Sequence, residues 1–249
     1  MYWERRWKFK TPLAWWAGGW YNLWVNKGEI SMYQYIFFDL DGTLTDSKEG
    51  IFNCLKYAFE KLGKPCPAEE TLIRFIGPPL QDSFATYCGF DSETAREGIR
   101  LFRERYDPIG KYENAAAPGM AALCARLKER GYILTVASSK LEAQCIPICE
   151  RFGFAPSMTT ITGSAPGADW EKEDVIRETM RRLGLTEADR DRILMVGDRK
   201  FDVLGAKECG LDCGGVEFFG YAEPGELAAS VAVAVVSTAE ELEQFILNH

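Results

Sequence analysis

The sequence predicts an α/β protein with a doubly wound parallel sheet and a helical cap domain inserted after the first strand. From Met32 onward, short apolar segments alternate with amphipathic segments of helical periodicity. Several of the apolar segments are uninterrupted runs, which is typical of strands that helices cover on both faces. The alternation stops once, over residues 48–117, where helical periodicity continues without a clear strand. A repeated strand–helix order with one such insertion indicates this fold class.

Six segments are predicted to form the sheet, because each is short and apolar and is bounded by turn residues. They are residues 35–38, 132–137, 158–162, 192–196, 213–218 and 231–236. Helices are predicted over residues 120–130 and 172–183, since each of these periodic segments is followed by a glycine. Pro147 lies inside the helical pattern of residues 141–152, and we expect it to kink that helix or to delay its start.

Residues 48–117 are predicted to form the helical cap. Apolar residues recur there at helical spacing in two groups, which are Ile51, Leu55, Phe59 and Leu62, then Ile99, Phe102 and Tyr106. We therefore assign residues 32–47 and 118–249 to the α/β core and residues 48–117 to the helical insertion. If the insertion moves as a unit, its hinges are expected near residues 46–47 and 117–119.

The composition excludes several classes of function. A net charge of −8 and a pI near 5.0 argue against a nucleic-acid polymer as partner, because phosphate backbones are bound by clustered Lys and Arg. The only His is residue 249, which excludes catalytic triads and zinc sites that need an imidazole. The eight Cys form no CxxC pair and are interpreted as reduced residues of a cytoplasmic protein. Any chemistry therefore has to use carboxylates, lysines and a metal ion.

Residues 1–31 differ in composition from the rest of the chain. They hold six of the seven Trp, and their apolar run over residues 12–25 is too short to span a membrane. A targeting segment and a membrane-surface segment are alternatives, but we interpret residues 1–31 as a non-native or disordered extension. We accordingly expect translation to begin at Met32, and we expect no membrane partner.

Two carboxylates directly follow the first predicted strand. Asp39 and Asp41 lie two residues apart in the sequence FFDLDGTLTD, which places them on the same side of an extended backbone. Carboxylates this close repel each other unless a cation offsets the repulsion, and this indicates a divalent metal ion. Gly42 allows the following turn and is expected to leave backbone N–H groups free to meet a phosphate. Because open α/β sheets bind ligands at the carboxyl ends of their strands, this end is the predicted site.

Four segments, in the right order, resemble the motifs of the haloacid dehalogenase-like (HAD) superfamily. The sequence DLDGTLTD at residues 39–46 resembles the first motif, and ILTVASSK at residues 133–140 resembles the second. Lys172 opens a helix as the lysine of the third motif does, and GDRKFD at residues 197–202 resembles the fourth. The insertion between the first two motifs is where this family carries its C1 cap. The sequence IGPPL at residues 76–80 is similar to the phosphoglycolate phosphatase-like and 5′-nucleotidase-like branch.

The resemblance implies a Mg²⁺-dependent phosphatase that acts through an aspartyl-phosphate. It implies that Asp39 is the nucleophile and that Asp41 protonates the leaving alkoxide and then deprotonates the attacking water. Mg²⁺ is a hard cation that prefers oxygen ligands. The metal group implied by the resemblance is Asp39, Asp41 through its carbonyl, Asp198, and Asp202 as the residue that orients the site.

The phosphate-binding group implied by the resemblance lies at the same strand ends. Its members are Gly42, Thr43, Ser138, Ser139 and Lys172. Ser138 and Lys172 are expected to hold the phosphoryl oxygens and so to act with the two catalytic aspartates. The choice between Ser138 and Ser139 as the binding hydroxyl stays open, and Lys140 is expected to face solvent, with a contact to substrate as the alternative.

The expected ligand is a small phosphorylated metabolite, a phosphate monoester of the phosphoglycolate or nucleoside monophosphate type, bound by a monomer or homodimer. A HAD-type phosphomutase would use the same nucleophile and is the first alternative. A non-catalytic binding protein on the same fold is the second, because fold does not determine function. A dehalogenase is disfavoured, since it needs no acid at the position of Asp41.

Overall fold

The computed structural model describes residues 32–168 and 170–249, so the predictions for residues 1–31 lie outside its described part. The strands of the described residues are β1 (Tyr35–Phe38), β2 (Thr45–Asp46), β3 (Ala115–Ala116), β4 (Ile133–Leu141), β5 (Met158–Ser164), β6 (Ile193–Gly197), β7 (Asp212–Val216) and β8 (Ala234–Val236). Six of them form a parallel sheet in the order β5-β4-β1-β6-β7-β8, and β2 and β3 form a separate antiparallel ribbon. The predicted doubly wound parallel sheet is confirmed.

Helices cover both faces of this sheet, and further helices lie between β2 and β3. In the described part of the chain they are α1 (Lys48–Lys61), α2 (Glu69–Leu72), α3 (Leu80–Cys88), α4 (Ser92–Tyr106), α5 (Met120–Glu129), α6 (Glu142–Arg151), α7 (Lys172–Arg182), α8 (Lys200–Glu208), α9 (Glu226–Ala229) and α10 (Ala239–Asn248). None of them is long and apolar enough to cross a membrane.

Strand β1 explains why the sheet strands are continuous apolar runs. Ile36 and Phe38 pack into a cluster with residues of α5, α6 and α10, whereas Phe37 packs into a second cluster with residues of α7 and α8. Successive side chains of a strand point to opposite faces, and here both faces are buried. Each residue of the run is therefore apolar, as the sequence pattern predicts.

Two local details differ from the sequence pattern. Helix α6 begins at Glu142 and continues through Pro147, so the proline does not delay its start, and the alternative, a kink at Pro147, stays a prediction. The proline removes one backbone hydrogen bond, but Cys145, Ile148 and Cys149 on the same helix are fully buried, and this packing stabilises the helical turn around it. The last sheet strand begins at Ala234, three residues later than predicted, because Val231 has a φ of 70° and ends the preceding turn.

The helices between β2 and β3 have an apolar core of their own. Phe59, Phe84 and Tyr106 are among its fully buried members. The ribbon of β2 and β3, which the sequence pattern did not predict, pairs Thr45 with Ala116 where the chain enters and leaves this helical insertion. The domain boundaries and the hinges near residues 46–47 and 117–119 stay predictions; β2 includes Asp46 of the first hinge segment, and β3 ends directly before the second.

Candidate active site

The carboxyl ends of three neighbouring strands meet at the point where the sheet order reverses. The chain passes from β1 outward to β4 and β5, then returns to β6 on the other side of β1. Phe38 is opposite both Val136 of β4 and Val196 of β6, and the Asp39 N–H donates to the Val196 carbonyl at 2.9 Å. Ligands of open α/β sheets bind at such a reversal. Asp39 therefore lies at the centre of the predicted site.

Lys172 joins two of the predicted aspartates. Its ammonium nitrogen lies 2.9 Å from Asp39 Oδ1 and 2.7 Å from Asp202 Oδ1, and it donates to the Ala137 carbonyl at 3.3 Å. Burial alone would lower the pKa of Lys172, but the charges of Asp202 and Asp39 outweigh it and raise that pKa above its usual range. Lys172 thus supplies a fixed positive charge beside Asp39.

Asp202 has both carboxylate oxygens engaged. Its Oδ1 contacts Lys172, and its Oδ2 accepts the backbone N–H of Arg199 at 3.0 Å in the first turn of α8. A side chain at Gly197 would collide with Asp202, since its Cβ would lie 2.2 Å from the Asp202 Cγ. The glycine that ends β6 therefore admits the carboxylate that holds Lys172, which fits the expected orienting role of Asp202.

Within the described residues, one oxygen of Asp198 has no hydrogen-bond partner. Asp198 Oδ1 lies 3.4 Å from the Thr43 hydroxyl, which donates to it, whereas Asp198 Oδ2 is buried and unpaired. Burial, and next the charges of Asp202 and Asp39, raise the pKa of Asp198 well above its usual range. The charges of Arg199 and Lys172 act in the opposite sense but do not outweigh these effects.

Gly42 makes room for Asp198, and its own N–H and that of Thr43 are paired with backbone carbonyls, while the phosphate-binding roles of Gly42 and Thr43 stay predictions. The Gly42 N–H donates to the Thr45 carbonyl at 2.8 Å, and the Thr43 N–H donates to the Leu40 carbonyl at 3.4 Å. Gly42 has a φ of +84°, and a Cβ there would lie 2.1 Å from Asp198 Oδ2. The glycine is required by its backbone conformation and by the close approach of the Asp198 carboxylate.

The prediction that Lys140 faces solvent is also wrong. Its ammonium nitrogen lies 2.7 Å from Asp41 Oδ2 and donates to the Tyr106 hydroxyl at 2.7 Å, and its side chain is 10% exposed. Tyr106 is the last residue of α4 and is 1% exposed. The end of a cap helix therefore covers Lys140 and holds it against the core carboxylate Asp41, a contact that the local sequence did not indicate.

The two candidate hydroxyl residues at the end of β4 differ in burial. Ser138 is 2% exposed, and its hydroxyl oxygen accepts the Lys140 N–H at 3.4 Å, whereas Ser139 is half-buried. The pairing of β4 with β5 shifts register between Ser138 and Leu141. The strand itself continues to Leu141, so both serines lie on β4. The assignment of either hydroxyl to phosphate stays a prediction.

Arg199 makes a second contact between core and cap that the sequence did not predict. Its guanidinium donates to Glu226 Oε1 at 2.9 Å and to the backbone carbonyl of Ile76 at 2.6 Å, and the residue is 5% exposed. Ile76 is fully buried in the apolar core of the cap. Arg199 follows Asp198 directly, so it connects the Asp198 loop to the cap.

The charges of the site fit a divalent cation. Four carboxylates, those of Asp39, Asp41, Asp198 and Asp202, outnumber the two ammonium groups that contact them by two charges. Oxygens of three of these carboxylates, on Asp39, Asp198 and Asp202, lie within 4.8 Å of one another. Arg199 does not change the balance, because Glu226 pairs with it. Oxygen donors with this excess of charge suit a hard cation such as Mg²⁺, and the free Asp198 Oδ2 offers it a ligand.

The model of the haloacid dehalogenase-like hydrolase family matches residues 36–216. The chain belongs to this family. A 5′-nucleotidase of Pseudomonas aeruginosa is 37% identical over 218 residues, which cover 87% of this chain and 97% of that protein. The tyrosine-protein kinase PtkA of Mycobacterium tuberculosis is 33% identical over 85% of this chain and 72% of its own length. A phosphoglycolate phosphatase of Mesorhizobium japonicum is 28% identical over 83% of this chain and 95% of its own length.

A solved HAD-like structure has the same architecture. The crystal structure of a predicted phosphatase from Clostridium acetobutylicum superposes with a TM-score of 0.82 at 39% identity, over 87% of this chain and 99% of the other. The family and the branch predicted from the four motifs are thereby confirmed. So is the predicted enzyme class, a phosphoric monoester hydrolase of the HAD-like family.

Proposed function

We propose that the chain is a Mg²⁺-dependent phosphatase that hydrolyses a small phosphate monoester through an aspartyl-phosphate on Asp39. The observation that carries this proposal is the setting of Asp39. It is buried at the end of the central strand, with a fixed ammonium at 2.9 Å and an acidic cluster that lacks two positive charges. A carboxylate can attack a phosphoryl group when nearby positive charge reduces the repulsion between the two anions.

In the first step, a carboxylate oxygen of Asp39 forms a bond to phosphorus while the ester P–O bond breaks. Asp41, counted above in its ionised form, has to carry a proton on Oδ1 before this step, and the leaving oxygen takes that proton. Asp41 Oδ1 is buried and has no hydrogen-bond partner among the described residues. Lys172 and Ser138 hold the phosphoryl oxygens that do not react. The products of this step are an alcohol and phosphorylated Asp39.

In the second step, Asp41 removes a proton from a water molecule, and the water oxygen attacks phosphorus. The bond from phosphorus to the Asp39 oxygen breaks, inorganic phosphate leaves, and both aspartates return to their starting states. The closed cap excludes other water from the intermediate until Asp41 directs this one. When bound, Mg²⁺ would be held by Asp39, Asp198 and the Asp41 carbonyl, and it would neutralise charge on the transferred phosphoryl group.

The proposed substrate is a small metabolite of the nucleoside monophosphate or phosphoglycolate type. Two of the relatives are named for such activities, 5′-nucleotidase and phosphoglycolate phosphatase, and each is matched over more than nine tenths of its length. The cap that covers Asp41 favours a small substrate, because closure has to enclose the leaving group. We propose a cytoplasmic location and a monomer or homodimer.

The test is Asp39→Asn, which removes the nucleophile with little change of shape. The wild-type protein is assayed with nucleoside monophosphates, phosphoglycolate and p-nitrophenyl phosphate, with Mg²⁺ and with a chelator. We expect turnover that needs Mg²⁺ and a loss of more than about 100-fold in the variant, since nucleophile losses are usually larger still. The exposed Asp191→Asn is the matched control and should keep full activity.

Other outcomes would favour the alternatives. Wild-type activity that depends on a sugar bisphosphate would indicate a phosphomutase, and phosphate transfer from ATP to a protein tyrosine would indicate a kinase. No turnover under any condition would indicate a binding protein. Retention of more than about one hundredth of the activity in Asp39→Asn would contradict covalent catalysis through this residue.

A further inference from the structure

Lys140 and Tyr106 form a chain of contacts that ends on the proposed acid and base. Lys140 Nζ lies 2.7 Å from Asp41 Oδ2 and 2.7 Å from the Tyr106 hydroxyl. The two side chains that flank it are 12% and 1% exposed. None of the roles assigned above to the nucleophile, the metal or the phosphoryl oxygens uses Lys140 or Tyr106.

The contact gives the two carboxylate oxygens of Asp41 different surroundings. Oδ2 is held by the ammonium, whereas Oδ1 is buried without a hydrogen-bond partner in the described part of the chain. A carboxylate held by one oxygen presents the other in a fixed direction, and proton transfer requires that alignment. A charged hydrogen bond between buried groups is also stronger than one in water. Lys140 is therefore placed to fix the orientation of the Asp41 carboxylate.

Tyr106 makes this alignment depend on the cap. Tyr106 ends α4, which belongs to the helical insertion, whereas Lys140 belongs to β4 of the core sheet. Phe102 stacks on the Tyr106 ring at 5.0 Å between centroids, so the hydroxyl is fixed to the body of the cap. A hydrogen bond of 2.7 Å does not survive a displacement of the cap by several ångströms.

We propose that Lys140 is a positioning residue that aims Asp41 for proton transfer, and that Tyr106 limits this alignment to the closed cap. The proposal rests on the proposed function, because it needs Asp41 to exchange a proton with the leaving group and with water. In the open state, Lys140 loses the Tyr106 hydroxyl and Asp41 is less well oriented. Proton transfer is thereby coupled to enclosure of the substrate, and an open enzyme is a poor catalyst for substrates that need protonation.

The neighbouring contact between Asp107 and Gln144 supplies a matched control. Gln144 of α6 donates to Asp107 Oδ1 at 2.6 Å, so it also joins the end of α4 to the core, one residue further along. Among the described residues, it forms no hydrogen bond with Lys140 or Asp41. Gln144→Leu therefore weakens cap docking without removing the positioning contact.

The experiment compares two substrates in Lys140→Met, Lys140→Arg, Tyr106→Phe and Gln144→Leu. One substrate is p-nitrophenyl phosphate, whose leaving group departs without protonation, and the other is a small alkyl phosphate, whose alkoxide has to be protonated. General acid catalysis contributes about 10²- to 10⁴-fold. We expect Lys140→Met to lower kcat/KM at least about 100-fold for the alkyl phosphate and less than about 10-fold for p-nitrophenyl phosphate.

Tyr106→Phe should also lower kcat/KM selectively for the alkyl phosphate, but by less than Lys140→Met. Lys140→Arg should retain part of the activity that Lys140→Met loses. Gln144→Leu should change both substrates equally. Equal losses on both substrates in Lys140→Met and Tyr106→Phe would overturn the positioning role and leave the phosphatase proposal intact. If Lys140→Met does not fold, Tyr106→Phe, which keeps the buried ring, decides by the same comparison.

A readout without turnover separates this proposal from the proposed function. A crystal structure of Lys140→Met should show the Asp41 carboxylate rotated away from its wild-type position, while Asp39 and Lys172 stay in place. An unchanged Asp41 would overturn the positioning role even in an inactive protein. A wild-type protein that hydrolyses neither phosphate would contradict the proposed function, whereas the position of Asp41 would still be decided by the crystal structure.

Discussion

The acidic cluster predicts that Asp198→Asn stabilises the metal-free protein while it abolishes metal binding. Asn keeps the shape of Asp198 and its hydrogen bond from Thr43, and it removes one negative charge. Oxygens of Asp39 and Asp202 lie within 4.8 Å of an Asp198 oxygen. At that distance and an effective dielectric of about 20, each pair of charges repels by about 3 kcal/mol.

Lys172 offsets part of this repulsion, because it contacts both Asp39 and Asp202. We therefore expect a net gain of about 1 to 3 kcal/mol in the free energy of unfolding of Asp198→Asn in a chelator. The sign agrees with the raised pKa of Asp198, whose first cause is burial and whose second is the nearby carboxylates. A raised folded-state pKa means that ionised Asp198 destabilises the fold as the pH rises above about 4.

The assay is urea unfolding of wild type, Asp198→Asn and the exposed control Asp191→Asn, each in a chelator and in Mg²⁺. Mg²⁺ should stabilise the wild type and the control, since a ligand that binds the folded state raises its stability by mass action. It should have little effect on Asp198→Asn. A variant that is less stable than wild type in the chelator, or that Mg²⁺ still stabilises fully, would refute the charge argument.

Three further predictions concern single residues. Gly42→Ala should lower the free energy of unfolding by at least about 1 kcal/mol, because residue 42 has a φ of +84°. It should also weaken the stabilisation by Mg²⁺, because the new methyl group displaces Asp198. Equal unfolding curves with and without the substitution would contradict this prediction. The carboxyl of Glu226 is buried, which opposes ionisation, but the guanidinium of Arg199 prevails and lowers the Glu226 pKa. Ionised Glu226 therefore contributes stability above pH about 4.3, and this stability is lost as the pH falls through the lower folded-state pKa. The stability gap between wild type and Glu226→Gln in urea should therefore be largest near neutral pH and should close in acid; a gap that grows in acid would reverse the sign. Leu80→Ala, in the half-buried loop that begins α3, should change the preference among phosphorylated metabolites more than the hydrolysis of p-nitrophenyl phosphate, and an equal loss on both would show that the loop serves only the fold.

The sheet was predictable because its strands obey a local rule. β1 has the bounds predicted for it, residues 35–38, because its run of apolar side chains is buried on both faces of the sheet. The two-residue strand β3 was not predictable, because Ala115 and Ala116 have no strand propensity and are paired only through their partners in β2. A strand of two residues carries too few side chains for a period to be recognised.

The candidate site divides in the same way. Asp39, Asp41 and Asp198 follow strands within short motifs, so local sequence and motif order are enough to find them. The position of Lys140 after β4 could be predicted from the sequence, but its burial could not, because it depends on Tyr106, 34 residues earlier in the chain. A lysine that follows a strand end is usually solvated, and only the position of a cap helix reverses that expectation.

The same limit applies to Arg199, whose contact with Ile76 joins residues 123 positions apart. No periodicity or motif connects a backbone carbonyl in a cap loop with a side chain beside the fourth motif. The sequence shows a basic residue directly after Asp198 but does not indicate its partner. Contacts that depend on how the helical insertion meets the sheet require the tertiary structure.

The bridge from Arg199 to Ile76 also has a thermodynamic consequence. Arg199 follows Asp198 directly, and its hydrogen bond to the Ile76 carbonyl would break in the proposed opening of the cap. On that proposal, a cation at the Asp198 carboxylate and closure of the cap would share a free energy of coupling, and such coupling is reciprocal. Whatever factor the cation added to the closure equilibrium, closure would add to the affinity for the cation. A substrate that closed the cap would then retain the cation for the length of the reaction, and release of phosphate would weaken both contacts together.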